Sequence, residues 1–136
     1  MGVVLDTSVL VAAERGDFVM PAFLETLGEE PVAIAAVSAA ELLSGVERAR
    51  SVPQRIRRGA FVDALLAVVP VIPFGLLEAR RQAQLWAELD RGRTTLGPHD
   101  LAIAATALAH DYAVATMHAP DFERVPGLRT IAAVVR

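Results

Sequence analysis

The sequence contains no cysteine. That excludes disulfides and any zinc site built on thiolates. Lysine is missing too, since all 13 basic residues are Arg. A phosphoryl-accepting receiver domain grips its phosphoryl group with Lys, and a P-loop triphosphatase needs Lys after its Gly-rich turn, so both are poor readings of this chain. The apolar runs are broken by Pro, Gly or charge well short of the ~20 residues that span a bilayer. No basic stretch precedes the first apolar run, so no secretory signal is expected, and a soluble cytoplasmic protein without membrane contact is. One Trp, one Tyr and five Phe leave little for base stacking, which directs any RNA recognition toward shape and backbone. A net charge of −3 argues against coating long nucleic acid by charge alone.

What remains is a chain of 136 residues, 54% apolar and 21% charged. That predicts one compact domain over 1–136. Val3 to Leu5, Val32 to Val37, Val68 to Ile72, Ala113 to Thr116 and Leu128 to Val134 read as strands. The Pro-interrupted third belongs near an edge. Helical segments fall between them: Val9–Ala13 capped by Ser8 or Thr7, a helix from Asp17 to Leu27, one from Ser38 to about Ala49, one opened by Pro53, one from Gly75 to about Leu89, and one opened by Pro98. Expected inner faces are Leu42, Leu43 and Val46; then Ile56, Phe61, Leu65 and Leu66; then Leu76, Leu77, Ala83, Leu85 and Trp86. Alternating strands and helices predict a three-layer α/β/α domain with a mostly parallel sheet of about five strands and right-handed crossovers.

Four acids recur at the carboxyl ends of strands or the starts of helices: Asp6, Glu41, Asp100 and Asp121. In a parallel sheet these places lie along one edge, where ligands of open α/β folds bind. Each acid also has a structural explanation. Asp6 suits a helix cap, Ser38-Ala39-Ala40-Glu41 is a capping box, Asp100 suits a helix N-terminus, and Asp121 suits a solvated loop. His99 and His110 read as structural or exposed. As a group, carboxylates ~4 Å apart repel by ~1 kcal/mol in water and ~4 kcal/mol at an effective dielectric of 20. A shared divalent cation relieves that repulsion. An oxygen-only ligand set suits Mg²⁺ or Mn²⁺, whose chemistry in such sites is phosphate-ester hydrolysis. A phosphatase of the Asp-x-Asp-x-Thr type is a poor alternative, because Asp6-Thr7-Ser8 lacks the second Asp.

The segments Val4-Leu5-Asp6-Thr7-Ser8-Val9-Leu10, Ser38-Ala39-Ala40-Glu41-Leu42-Leu43-Ser44-Gly45-Val46 and Gly97-Pro98-His99-Asp100-Leu101-Ala102-Ile103-Ala104-Ala105-Thr106 resemble the PIN-domain ribonucleases. Within them the similarity is to the VapC toxins of toxin–antitoxin pairs, and Asp121-Phe122-Glu123-Arg124-Val125-Pro126-Gly127-Leu128 resembles their C-terminal loop. The resemblance implies a PIN-like fold and a Mg²⁺- or Mn²⁺-dependent endoribonuclease that cuts structured RNA such as tRNA or rRNA and so inhibits translation. It implies Asp6, Glu41, Asp100 and Asp121 as catalytic and metal-binding residues. Thr7, Ser8 and Thr116 would support them. His118 stands where the family commonly carries Asn or Asp, so either Asp121 or His118 completes the site. The resemblance further implies a VapB-like antitoxin that blocks the cleft, a homodimer, and DNA contact only through the antitoxin. Arg91 and Arg93, in the loop leading to Asp100, are the candidate RNA contacts. The alternative function is a non-catalytic PIN-like module that binds RNA or an antitoxin.

Overall fold

The computed structural model describes residues 1–133. Five parallel strands form the central sheet in the order β3-β2-β1-β4-β5. They are β1 (Gly2–Leu5), β2 (Val32–Ala35), β3 (Val71–Ile72), β4 (Tyr112–Thr116) and β5 (Thr130–Ala132). The helices are α1 (Thr7–Glu14), α2 (Met20–Thr26), α3 (Ala36–Glu47), α4 (Val52–Val68), α5 (Leu76–Arg91), α6 (Pro98–Ala109) and the short α7 (Ala119–Glu123).

Strand alternation splits the core into two layers. Val4, Ala35 and Val114 face Leu85, Leu89, Leu101, Ile103, Ala104 and Phe122 on the α5–α6 side. Val3, Leu5, Ile34 and Ala115 face Leu10, Leu42, Val62 and Leu65 on the α1–α3–α4 side. Being covered on both faces, β1 is buried throughout and β4 from Ala113 to Thr116, the pattern expected of parallel sheets. The chain leaves β1 toward β2 and β3 on one side, then returns to pair β4 and β5 on the other. The order therefore reverses between β1 and β4, which opens a crevice at their carboxyl ends.

Several sequence expectations shift. The sheet is wholly parallel. α1 begins at Thr7 with Asp6 in the N-cap position, so neither Thr7 nor Ser8 caps it. α2 starts at Met20 with Val19 as its N-cap, so Asp17 is outside it. α3 starts at Ala36 with Ala35 as N-cap and no acid in its first turn, so Ser38 and Glu41 form no capping box. Here Ala35 ends β2 and enters the helix directly, which frees both polar side chains for tertiary contacts.

α4 continues to Val68 and shortens β3 to two residues at the sheet edge. Its buried residues are Val62 and Leu65, while Ile56 is 66% exposed. On α5, Glu78, Leu85 and Leu89 turn inward, whereas Leu76, Leu77 and Trp86 are exposed. Leu43 on α3 is exposed too. The loop expected over His118 to Gly127 contains α7. β5 covers the central part of the expected last strand, and Val134 lies outside the described residues.

Candidate active site

The crevice between β1 and β4 widens into a cleft of about 870 Å³. Asp6, Thr7, Ser8, Glu41, Asp100 and His118 all line it. Asp6 is carried there by the end of β1, with its amide bonded to Ala115 O at 2.9 Å. Its carboxylate is 4% exposed and makes no cap bond to α1. Instead Oδ2 accepts from Ser8 Oγ at 2.6 Å and from Thr116 Oγ1 at 2.8 Å. Those hydroxyls are themselves fixed, because Ser8 Oγ accepts from the Met117 amide at 3.1 Å and Thr116 Oγ1 from the His118 amide at 2.9 Å. The polar run after the first strand thus orients the acid rather than starting the helix.

Glu41 projects from the second turn of α3. Thr7 Oγ1 donates toward Ser38 Oγ at 2.8 Å and Glu41 Oε1 at 3.2 Å. The same Oε1 meets His99 Nδ1 at 3.1 Å. Asp100 stands in the first turn of α6, behind Gly97 as N-cap and Pro98. α6 buries Leu101, Ile103, Ala104, Ala105 and Ala107, so this acid is held by a rigid element.

Asp100 shows what the grouping does electrostatically. Its carboxyl is pushed above the ordinary 3.8, first by burial, then by the negative charges of Asp6, Asp121 and Glu41, with His118 acting in the opposite sense. The charges of the other three acids singled out in the sequence are therefore felt at Asp100, although Asp121 is not among the residues that line the cleft. Asp121 is the outermost. It is exposed on α7, and its Oδ1 lies 3.7 Å from Arg124 Nη2. His118 lines the cleft itself. Among the described residues, no three Asp, Glu or His side chains are drawn together tightly enough to hold a metal ion.

Sequence reasoning misses three cleft residues. His99 reads in the sequence as structural or exposed. Its ring is 62% exposed, and its bond to Glu41 places it at the site. Arg15 and Asp17 also line the cleft, from the end of α1 and the turn after it. No periodic signal marks them, because they sit where a helix stops. Arg91 and Arg93 are exposed and lie outside the cleft lining.

Fold and cleft define a small parallel α/β/α domain with an acidic site at its topological switch point. Residues 3–128 match the PIN domain. The chain is 35% identical over 131 residues to Ribonuclease VapC1 of Rickettsia felis, covering 96% of each chain. It is 29% identical over 103 residues, 76% of each, to the tRNA(fMet)-specific endonuclease VapC of Salmonella typhimurium. Among solved structures it superposes on VapBC2 from Rickettsia felis bound to a promoter DNA fragment, with a TM-score of 0.88 at 25% identity, over 97% of this chain and 98% of that one. The chain belongs to the PIN-domain family, in its VapC group.

Proposed function

We propose that this protein is a metal-dependent endoribonuclease and the toxin of a type II toxin–antitoxin pair. Its substrate is structured RNA such as tRNA or rRNA, and its effect is to stop translation. The observation that carries the proposal is the gathering of Asp6, Glu41 and Asp100 in one cleft, where burial and the neighbouring acids push the Asp100 carboxyl up. A field of that sign is what a bound cation relieves.

The donor chemistry fits the group. The facing side chains offer mainly carboxylate and hydroxyl oxygens, with the His99 and His118 imidazoles and no thiolate, a set compatible with hard divalent ions. Mg²⁺ keeps several waters and binds through one or two carboxylates, so a tight three-residue cage is not required. Asp6, Glu41, Asp100 and Asp121 would hold Mg²⁺ or Mn²⁺. Once bound, such an ion makes a coordinated water acidic and spreads the charge of an in-line phosphoryl transition state.

The chain's own residues set the geometry. Ser8 and Thr116 fix the orientation of Asp6. Thr7 and His99 hold one oxygen of Glu41. Arg15 supplies a cation on the cleft wall for a phosphate oxygen. Arg91 and Arg93 would contact the RNA backbone farther out. By likeness to the VapBC complexes, the partner is a VapB-like antitoxin and DNA is bound through it; an antitoxin segment over the acidic cleft and a toxin homodimer complete the proposal. Among the described residues no helix is long and apolar enough to cross a membrane, which is compatible with action in the cytoplasm.

Incubating the purified chain with total RNA, with and without Mg²⁺ or Mn²⁺, tests the proposal. Metal-dependent fragments that disappear in Asp6→Asn are expected. RNA binding without cleavage under every metal condition would instead favour a non-catalytic PIN-like module.

A further inference from the structure

A second cavity, of about 340 Å³, lies between α5 and the loop that joins it to α6. It shares the first turn of α6 with the acidic cleft. His99 and Asp100 line the cleft, while Pro98 and Leu101, spaced three apart on one side of the helix, line the cavity. The two sites are therefore separated by about the width of one helix, ~10–12 Å.

The geometry points to this cavity as the seat of an unpaired base of the RNA substrate, a short stride along the strand from the phosphate held in the acidic cleft. The inference rests on the ribonuclease function proposed above and names how that enzyme would choose its cleavage site. Trp86 is the chain's only Trp and is 59% exposed at the cavity wall. An indole face offered to solvent beside a cavity is a stacking platform for any base. Gln82, one turn earlier on the same face of α5, lines the cavity, and its buried Oε1 has no hydrogen-bond partner among the described residues. A buried acceptor without a donor is unfavourable. The exocyclic amine of adenine, cytosine or guanine, or the ring N–H of uracil, would supply the donor.

Asp90, Thr94 and Thr95 add polar groups around the same opening. Arg91 and Arg93 lie in the chain between the lining residues Asp90 and Thr94 and are exposed, so they can meet the phosphates of a strand entering the cavity. A stacked strand advances ~3.4 Å per nucleotide, so about three nucleotides cover one helix width. The same placement accounts for both Arg residues lying outside the acidic cleft.

The test uses the intact chain in metal-free buffer, where binding is read without cleavage. Fluorescence of Trp86 is followed while eight-nucleotide oligo-A, oligo-U and oligo-C are added, with an abasic ribose-phosphate chain of the same length as control. Anisotropy of labelled oligonucleotides reports binding independently. Quenching by the base-bearing oligonucleotides, unequal among them and absent with the abasic chain, is expected. Gln82→Leu should keep the quench and weaken binding of every base-bearing oligonucleotide, since each base offers a donor. Trp86→Ala should weaken binding about 5- to 100-fold, with Trp86→Phe restoring much of it.

Equal quenching by the abasic chain, or RNA binding without any quench, overturns the base pocket and leaves the ribonuclease function standing. Quenching that depends on protein concentration without RNA shows a second copy over Trp86 and overturns it too. Failure of every oligonucleotide to bind, together with no cleavage of total RNA, removes both proposals.

Discussion

Asp100 and Glu78 stand at opposite ends of the α5–α6 pair and meet opposite fields. Asp100 opens α6, whose 12 residues extend about 18 Å, and His110 at the far end caps it and bonds Glu78 across from α5. Glu78 is 5% exposed, yet both its oxygens are used. Oε1 accepts from the Gly75 amide at 2.9 Å, and Oε2 lies 2.6 Å from His110 Nε2. Its carboxyl is held below the ordinary 4.5, first by the Gly75 amide and then by His110. Asp100 is pushed the other way by burial and by other acids. One acid completes a local network and the other adds to an excess of negative charge. The first pattern holds a fold together. The second raises a carboxyl in a cleft, a pattern that clusters at functional sites.

Neutralising the two ends separately gives the sharpest test of that contrast. Asp100→Asn should lower RNA cleavage at least ~10²-fold, because the proposed metal site would lose one of its acids. Without metal its melting temperature should stay level or rise, because repulsion is relieved. Glu78→Gln should do the reverse. Cleavage per folded molecule should stay within about twofold, while stability falls by about 1–3 kcal/mol as a buried charge-assisted pair is weakened. A marked fall in metal-free melting temperature for Asp100→Asn would show that the two acids do not differ in kind.

Thr116→Val probes the same contrast with a smaller effect. Thr116 carries no charge and acts only by orienting Asp6. Groups that orient a metal ligand typically contribute 10–100-fold in metal affinity or activity. The Mn²⁺ concentration giving half-maximal cleavage should therefore rise by about that factor. Cleavage with an unchanged Mn²⁺ midpoint would show that the Ser8 hydroxyl alone orients Asp6.

Acid titration should move the two ends in opposite directions. A carboxyl whose folded pKa is lowered stabilises fully above its unfolded value and loses that contribution as pH falls through its folded value. For Glu78 the loss begins below about 4.5. A carboxyl whose folded pKa is raised penalises folding at neutral pH, and the penalty disappears as pH falls through the raised value toward 3.8. Metal-free melts from pH 7 to pH 3 should thus be flatter at the acid end for Glu78→Gln than for the parent chain. They should be steeper for Asp100→Asn, which lacks the compensating relief. Parallel curves for all three would refute opposite contributions.

The two ends also differ in how legible they are in the sequence. Asp6, Glu41 and Asp100 can be placed on one sheet edge because strand ends and Pro98 are local signals, and a parallel sheet gathers its carboxyl ends. The Pro-interrupted β3 is legible as an edge for the same reason. The Glu78–His110 pair is not, because its partners are 32 positions apart and carry no shared motif. With Glu78 turned inward, apolarity alone misleads on α5: Leu76, Leu77 and Trp86 face out while a carboxylate faces in. The start of α3 is misplaced from sequence because Ser38 and Glu41 have capping-box spacing, yet their hydroxyl and carboxylate are taken by Thr7 from another element. Tertiary contacts override local caps wherever a polar side chain has a better partner across the cleft.

The smallest expected effect separates cations beside the acidic end from the acids themselves. Arg91 ends α5 and Arg93 follows it, so both sit at the end of the helix pair that carries Asp100. They are exposed, and neither has a carboxylate partner among the ion pairs of the described residues. Exposed cations contribute through counterion release, which for single strands changes the salt slope by ~0.7 for each phosphate neutralised. Arg91→Ala with Arg93→Ala should weaken RNA binding several-fold at low salt and flatten the salt dependence by about one to one and a half. Metal affinity and the Glu78-dependent acid melt should not change, because neither Arg lines the acidic cleft or touches Glu78. Affinity and slope both unchanged would place the RNA path on another face, and Arg15 within the cleft would then be the cation to replace next.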